Sequence, residues 1–158
     1  MKYKTFRQFG FTYFGVIFLV TLIALALTGA AFVWRVEQKR LKEEELLFVG
    51  RQYMDAIASY YNSSPGAAKK YPQQISELLL DSRFLTIKRH LRRPLLDPFT
   101  NKSQWGFIYT NLGGIAGVYS LAEGSPLKQS GFSSELEEKF SHKASYQDWR
   151  FVFLPSQN

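Results

Sequence analysis

Few residues in this chain could carry out acid–base, nucleophilic or metal chemistry. Among its 158 residues there are no Cys and two His, His90 and His142, so a thiolate nucleophile and a thiolate metal site are excluded. Neither His stands at a spacing from carboxylates that is typical of a metal triad or of a nucleophile paired with a base. The residue types therefore predict no catalytic residues, no metal site and no cofactor.

Two glycine-containing motifs that resemble parts of active sites are better explained as turns. Gly124-Ser125-Pro126 lacks the Gly-x-Ser-x-Gly sequence of a nucleophile elbow. Gly113-Gly114 is too short to cradle a phosphate and stands between two apolar segments, where a tight turn is expected. Neither motif changes the expectation that the protein is not an enzyme.

The densest basic cluster of the chain, the sequence KRHLRR at 88–93, could form a surface for anions. Its cations are Lys88, Arg89, Arg92 and Arg93. A phosphate or nucleic-acid site is one interpretation. We favour a solvated loop or a salt-bridging surface between subunits, because no aromatic residues alternate with the basic ones as in single-strand binding proteins. The net charge of +7 is equally consistent with solubility or with attraction to a membrane surface, so we do not expect a nucleic-acid partner.

The element that must position the rest is an apolar stretch from Phe11 to Trp34. These 24 residues contain no Asp, Glu, Lys, Arg or His. As a helix they extend roughly 36 Å, enough to cross a hydrocarbon core of about 30 Å. A cleavable secretory signal is a second interpretation, because small residues stand near the end of the stretch. The apolar region of such a signal is usually about 7–15 residues, shorter than this one, so the pattern favours a membrane span.

The residues in front of the span resemble the class III signal of type IV pilins and type II secretion pseudopilins. The leader MKYKTFRQFG contains three basic residues, ends in Gly10 and is followed by Phe11-Thr12. In that family the usual form is a basic leader, Gly and then Phe-Thr-Leu-Ile-Glu. The resemblance implies that a prepilin peptidase cuts between Gly10 and Phe11 and methylates the new amino terminus. It also implies a cytoplasmic leader and a periplasmic domain.

The match departs from the family at two positions within the span. Gly15 stands where the family has Glu, and Phe32 stands where a Pro is common. The family's Glu is thought to pair with the terminal ammonium of a neighbouring subunit, since an uncompensated charge in lipid costs several kcal/mol. Thr12 and Gly15 are thus the expected anchor and assembly positions, but Gly15 cannot make that pair. Either this subunit does not need the pair, as at a filament tip, or the leader is no longer processed.

Behind the span the helical pattern continues from Arg35 to Asn62 without a Pro. An apolar stripe at spacings of three and four residues predicts the face that packs on a small domain. The members of the stripe are Leu46, Val49, Tyr53, Ile57 and Tyr60. A coiled coil is the alternative, but the charged stretch 37–45 offers it a single apolar residue, Leu41. The sequence NSSPG at 62–66 ends the predicted helix, which has about fifty residues.

The rest of the chain predicts one small α+β domain. The expected elements are a short helix at 71–80, a hairpin of 105–110 with 115–121, a turn or short helix at 132–140, and a last strand at 149–153. Their order resembles the globular part of G-type major pseudopilins. The Tyr-Pro, Asp-Pro-Trp-Gly-Asn and Tyr-Ser-Leu motifs of that family correspond here to Tyr71-Pro72, 97–101 and 119–121.

The family often holds a calcium ion in the loop that follows the Tyr-Ser-Leu strand. Calcium takes about six to eight oxygen ligands, prominent among them carboxylates. Here the loop 122–128 contains one acid, Glu123, and a Lys. We therefore expect no calcium, and expect the apolar tail at 146–153 to brace this loop instead.

Together these observations predict a pilin-like α+β protein with a long amino-terminal helix packed on a small antiparallel sheet. Its domains are a leader (1–10), a membrane-spanning helix half (11–34), a periplasmic helix half (35–62) and a globular domain (63–158). The resemblance implies a structural type II secretion pseudopilin, single-pass in the bacterial inner membrane. Its partners would be the membrane, other pseudopilins, the inner-membrane platform of the secretion system and a prepilin peptidase. The alternatives are a minor pilin of a type IV pilus or DNA-uptake filament, and an unprocessed anchor carrying a periplasmic scaffolding or binding domain.

Overall fold

The chain is an α+β protein with one long apolar amino-terminal helix and a small three-stranded antiparallel sheet. Its computed structural model describes residues 11–66, 68–111 and 113–155. The helices are α1 (Phe11–Asn62), α2 (Ser76–Leu79) and α3 (Ser134–Phe140), with a 3₁₀ turn at Tyr146–Asp148; the strands are β1 (Gly106–Tyr109), β2 (Ile115–Tyr119) and β3 (Arg150–Val152). The chain divides between Lys39 and Arg40 into two compact units.

In the first unit, α1 exposes its apolar side chains. Phe14, Val20 and Leu27 are between 59% and 71% exposed. The hydroxyls of Thr21 and Thr28 donate to carbonyls one turn earlier, both at 2.8 Å, so they are satisfied within the helix. The most apolar window of α1 has a mean hydropathy of 2.7. By length and composition α1 could cross a membrane once. A signal sequence near the amino terminus can have the same length and composition.

In the second unit, the apolar stripe of α1 forms one side of the core. All five predicted members, Leu46, Val49, Tyr53, Ile57 and Tyr60, are buried, which confirms the stripe. The buried side chains packed with them include Trp105, Ile115, Val118, Phe140, Trp149 and Phe151. Burying one such large apolar side chain contributes about 1.5–3 kcal/mol, so the contact between α1 and the sheet stabilises the domain.

The sheet has the order β1-β2-β3, with both pairs antiparallel. The predicted hairpin and the predicted last strand are therefore confirmed. The hairpin closes where the Thr110 N–H donates to the Gly114 carbonyl at 3.0 Å. Gly113 and Gly114 have φ of 79° and 90°, left-handed values that favour glycine, so this pair is a turn, as its sequence indicates.

A close approach between β3 and α1 depends on one helical glycine. A Cβ added at Gly50 would overlap the ring of Phe151. That ring lies edge-on to Phe140 at 4.9 Å, and Phe140 stacks on Trp149 at 5.7 Å with an interplanar angle of 7°. Gly50 thus lets an aromatic layer lie directly against the backbone of α1.

The second helix is shorter than the sequence predicts. It spans the four residues Ser76–Leu79, whereas the sequence predicts a helix of two or three turns over 71–80. The carbonyl of Pro72 instead accepts a hydrogen bond from the Ile115 N–H at 2.7 Å, which holds the predicted first turn against the sheet. At the other end Leu80 is extended, with φ −148° and ψ 103°. Tertiary pairing has therefore overridden the local helical preference.

Candidate functional site

A groove of about 1090 Å³ lies along one side of the second unit. One wall is α1, with Glu45, Phe48 and Asp55 among the lining residues; the other is the segment 90–96, with Leu96 among them. We call this space the α1 groove. Each wall exposes one large apolar side chain, Phe48 at 64% and Leu96 at 55%, among polar and charged residues.

A Ser, a His and an Asp come together at one end of the α1 groove. Ser59 Oγ lies 2.8 Å from His90 Nδ1, and His90 Nε2 lies 3.1 Å from Asp81 Oδ2. The side chains of His90 and Asp81 are 1% and 0% exposed. Sequence spacing indicates no carboxylate partner for His90, but the fold brings Asp81 to it. The partners are nine and 31 positions away, which no local spacing reveals.

Arg83 holds the buried Asp81 as an ion pair. Its Nε donates to Asp81 Oδ1 at 2.8 Å and its Nη2 donates to Oδ2 at 2.7 Å. The same guanidinium donates to Ser64 Oγ and to the Tyr60 carbonyl and lies 3.5 Å above the Tyr60 ring. The hydrogen bonds from Arg83 keep the pKa of Asp81 well below its usual range, and Asp81 in turn raises the pKa of Arg83.

Tyr60 and Glu77 extend this polar network towards α2. The Tyr60 hydroxyl donates to Glu77 Oε2 at 2.6 Å, and that oxygen also accepts the Gln73 N–H at 3.2 Å. Burial, followed by the bond to Glu77, raises the pKa of Tyr60 above its ordinary value, so the hydroxyl stays protonated and donates. We call Ser59, Tyr60, Glu77, Asp81, Arg83 and His90 the polar network.

The polar network matches a Ser-His-Asp triad in residue types but not in chemistry. Ser59 lies inside α1, where backbone N–H groups donate to carbonyls one turn earlier and cannot stabilise an oxyanion. Both oxygens of Asp81 are engaged by Arg83, which leaves less negative charge to stabilise an imidazolium. The arrangement instead ties the end of α1 to the segment 81–90. His90 and Leu91 N–H both donate to the Leu78 carbonyl at 2.8 Å, which extends that tie to α2.

The predicted basic residues differ in their exposure. Lys88 is half-buried, donates to Ser63 Oγ at 2.8 Å and lies 4.5 Å above the Phe84 ring. Arg89, Arg92 and Arg93 are exposed. Arg92 and Arg93 line the α1 groove, where Glu45 and Asp55 stand on the other wall.

Between Asp81 and Lys88 the chain forms a protruding turn with an apolar end. The two residues pair as an isolated antiparallel bridge, with the Asp81 N–H donating to the Lys88 carbonyl at 2.9 Å. Leu85 is 110% and Ile87 is 77% exposed. We call residues 82–87 the apolar tip.

A buried carboxylate on α1, missed at the sequence level, holds the loop after β2. Glu43 is 2% exposed. Its carboxylate accepts the N–H groups of Leu127 and Lys128 at 2.6 and 3.0 Å and the Tyr146 hydroxyl at 2.7 Å. The Tyr146 N–H also donates to the Gly124 carbonyl at 3.3 Å, so the tail does brace this loop. Glu43 stands three residues before Leu46, on the apolar stripe, and that position was the available signal.

The predicted processing and anchor residues lie at the start of the chain. Gly10 lies outside the described residues, and Phe11 is the first residue of α1. Thr12 is exposed, and Gly15 has no atom within 4 Å of an added Cβ. Within the described residues, no group of three His, Asp or Glu side chains could hold a metal ion.

Comparison with known proteins adds no relative. No protein-family model matches the chain, and no curated protein or solved structure shows a significant match.

Proposed function

We propose that this chain is a structural pseudopilin of a type II secretion system. Residues 1–10 form a leader that a prepilin peptidase removes, leaving a methylated Phe11. The apolar part of α1 anchors the subunit in the bacterial inner membrane, and the second unit lies in the periplasm. Subunits then leave the membrane and join a short filament with other pseudopilins on the inner-membrane platform.

The observation that carries the proposal is the length and division of α1. This helix of 52 residues is apolar and exposed in its first part and supplies the buried stripe of the second unit in its last part. A secretory signal ending near Ala31 would instead cut through this one helix. The class III leader in front of the helix sets it apart from an ordinary anchor.

Assembly, not catalysis, is the chemistry of the proposal. Contacts between the helices of neighbouring subunits replace contacts with lipid, and close packing of those helices stabilises the filament. Because Gly15 cannot pair with a terminal ammonium, contacts between globular domains must offset that loss.

The loop held by Glu43 supports a pseudopilin-like domain that does not depend on calcium for this part of its fold. Two loop N–H groups and the Tyr146 hydroxyl are satisfied by a side chain of α1. The expectation of no calcium remains a prediction. Isothermal titration of the full chain with CaCl₂ tests it, and a saturable heat at micromolar calcium would contradict it.

The test of the proposed function is the amino-terminal mass of the full chain isolated from membranes. We expect a mature chain that begins at methylated Phe11 in a host with a prepilin peptidase, and an intact chain in a host without one. A start at Met1 in both hosts would leave a plain anchor. A start near Ala31 would indicate a secretory signal and contradict the filament function.

A DNA-uptake pilin is the second candidate, and the exposure of Arg89, Arg92 and Arg93 is the observation that favours it. Glu45 and Asp55 line the same groove as Arg92 and Arg93. These carboxylates weaken the case for DNA binding, because they repel phosphates. Salt-dependent binding of DNA that is lost in an Arg89→Gln/Arg92→Gln/Arg93→Gln variant would support this candidate. No binding at low salt would remove it.

A further inference from the structure

The apolar tip is held at its base by several contacts. Its base is closed by the Asp81–Lys88 bridge and by the ion pair of Arg83 with Asp81. Lys88 further holds the turn through its contacts with Ser63 and the Phe84 ring. A turn held at its base in this way exposes Leu85 and Ile87, and burying them costs less conformational entropy than ordering a free loop.

The α1 groove exposes one large apolar side chain on each wall, Phe48 and Leu96. The wall formed by the segment 90–96 is held at Leu95. The Leu95 carbonyl accepts hydrogen bonds from the Trp105 Nε1–H at 2.9 Å and from the Tyr53 hydroxyl at 3.2 Å. Pockets for small molecules are about 300–1,000 Å³. The groove, at about 1090 Å³, accommodates several side chains against Phe48 and Leu96.

The charges around the tip and the groove are complementary on one side. Arg89 follows the tip and is exposed. Glu45 and Asp55 stand on the α1 wall of the groove, while Arg92 and Arg93 stand on the opposite wall. When the apolar tip enters the groove, Arg89 beside it is therefore attracted to the α1 wall and repelled by the other wall.

We propose that the apolar tip of one copy docks into the α1 groove of a second copy, with Leu85 against Phe48. This contact rests on the proposed function, since it names the surfaces through which globular domains of filament subunits meet. It is a head-to-tail contact between two different surfaces of one chain. Such contacts propagate from one copy to the next and give rings or open helical filaments instead of two-fold dimers.

The apolar tip of one chain cannot reach Phe48 in the groove of the same chain. The base of the tip contacts Tyr60 and Ser64 through Arg83. Phe48 lies twelve residues earlier on α1, which is about 18 Å along the helix. Disulfides need Cα atoms about 4.4–6.8 Å apart, so a bond between these positions reports two molecules.

Cysteine cross-linking tests the contact, because the natural chain has no Cys. Two full-length single-Cys chains, Leu85→Cys and Phe48→Cys, are co-expressed, and their membranes are oxidised with copper phenanthroline. Both side chains are exposed, so the substitutions leave the core intact. Matched controls pair Leu85→Cys with Leu96→Cys on the opposite wall, and with Leu154→Cys, an exposed residue that does not line the groove.

We expect a mixed disulfide between Leu85→Cys and Phe48→Cys several-fold above the Leu154→Cys control, with a lower yield for Leu96→Cys. The double variant Phe48→Cys/Leu85→Cys should give a ladder of oligomers. A yield equal to the Leu154→Cys control would overturn the proposal. Bonds of Leu85→Cys mainly with itself would also overturn it, since they indicate a symmetric contact.

The amino-terminal mass of the chain in the same membranes tests the proposed function independently of the contact. The amino-terminal mass reports whether Phe11 is the mature start. Processing at Phe11 without the mixed disulfide would remove the tip-to-groove contact and leave the pseudopilin function standing. A mixed disulfide in chains that keep Met1 would support the contact and remove the processed-pilin function.

Discussion

At the scale of single residues, Glu43 illustrates why a charged side chain can be buried on an otherwise apolar stripe. A carboxylate removed from water costs several kcal/mol unless its lone pairs are satisfied. Here two N–H groups and one hydroxyl satisfy them. Burial and the Glu43 carboxylate both raise the pKa of Tyr146, so its hydroxyl stays protonated and donates. Glu43 therefore links α1 to the loop and the tail at once.

Replacing this carboxylate is expected to destabilise the second unit. Glu43→Gln substitutes an amide N–H₂ for one acceptor and places it against a backbone donor. We expect a loss of about 2 kcal/mol in the free energy of unfolding. Urea denaturation of the detergent-solubilised chain measures it, and Glu44→Gln, on the exposed neighbour, serves as control. Equal midpoints for the two variants would contradict the role given to Glu43.

The Asp81–Arg83 pair predicts a loss of stability in acid. The pKa of Asp81 in the folded chain lies below its usual 3.8, mainly because of the hydrogen bonds from Arg83. The unfolded chain therefore takes up the proton first, and the contribution of Asp81 is lost as the pH falls from about 4 towards the folded pKa. We expect Asp81→Asn to flatten the acid limb of a stability-versus-pH curve and to lower stability at pH 7. Glu138→Gln, at an exposed site, is the control.

At the scale of elements, the contact between α1 and β3 depends on the absence of a side chain at Gly50. In an exposed helix Gly→Ala is stabilising by about 1 kcal/mol. At Gly50 the added methyl would overlap the Phe151 ring, so we expect Gly50→Ala to destabilise by about 1–3 kcal/mol. Gly29→Ala, in the same helix with open space around it, is the control. Thermal melts by near-ultraviolet circular dichroism compare the two, and a stabilised Gly50→Ala variant would refute this packing.

Periodic elements could be predicted from the sequence because their pattern is local. The stripe of α1, the hairpin and the last strand each follow from spacing within one segment. The length of α2 could not be predicted, because the Pro72 carbonyl accepts a hydrogen bond from the N–H of Ile115, which is distant in sequence. The polar network was missed for the same reason: Ser59 and His90 are 31 positions apart. A sequence reports which face an element buries, but not which polar groups meet once those faces have packed.

At the scale of the whole molecule, the proposed membrane anchor makes a prediction about which side the second unit occupies. Three basic residues precede the apolar part of α1, and Arg35, Lys39, Arg40 and Lys42 follow it. The basic residues on the two sides of the span are therefore nearly balanced, and the positive-inside rule does not decide the orientation. The predicted orientation follows from the leader. We expect the leader inside the cell and the second unit outside.

Labelling of one introduced thiol decides this orientation. Leu154 is 67% exposed and the natural chain has no Cys, so Leu154→Cys reports the position of the second unit alone. We expect a membrane-impermeant maleimide to label this variant in intact spheroplasts as fully as in detergent, with the label in the membrane fraction. Labelling that requires detergent would place the unit in the cytoplasm, where no periplasmic filament could use it. Label released to the soluble fraction would mean that the apolar part of α1 had been cleaved away as a signal.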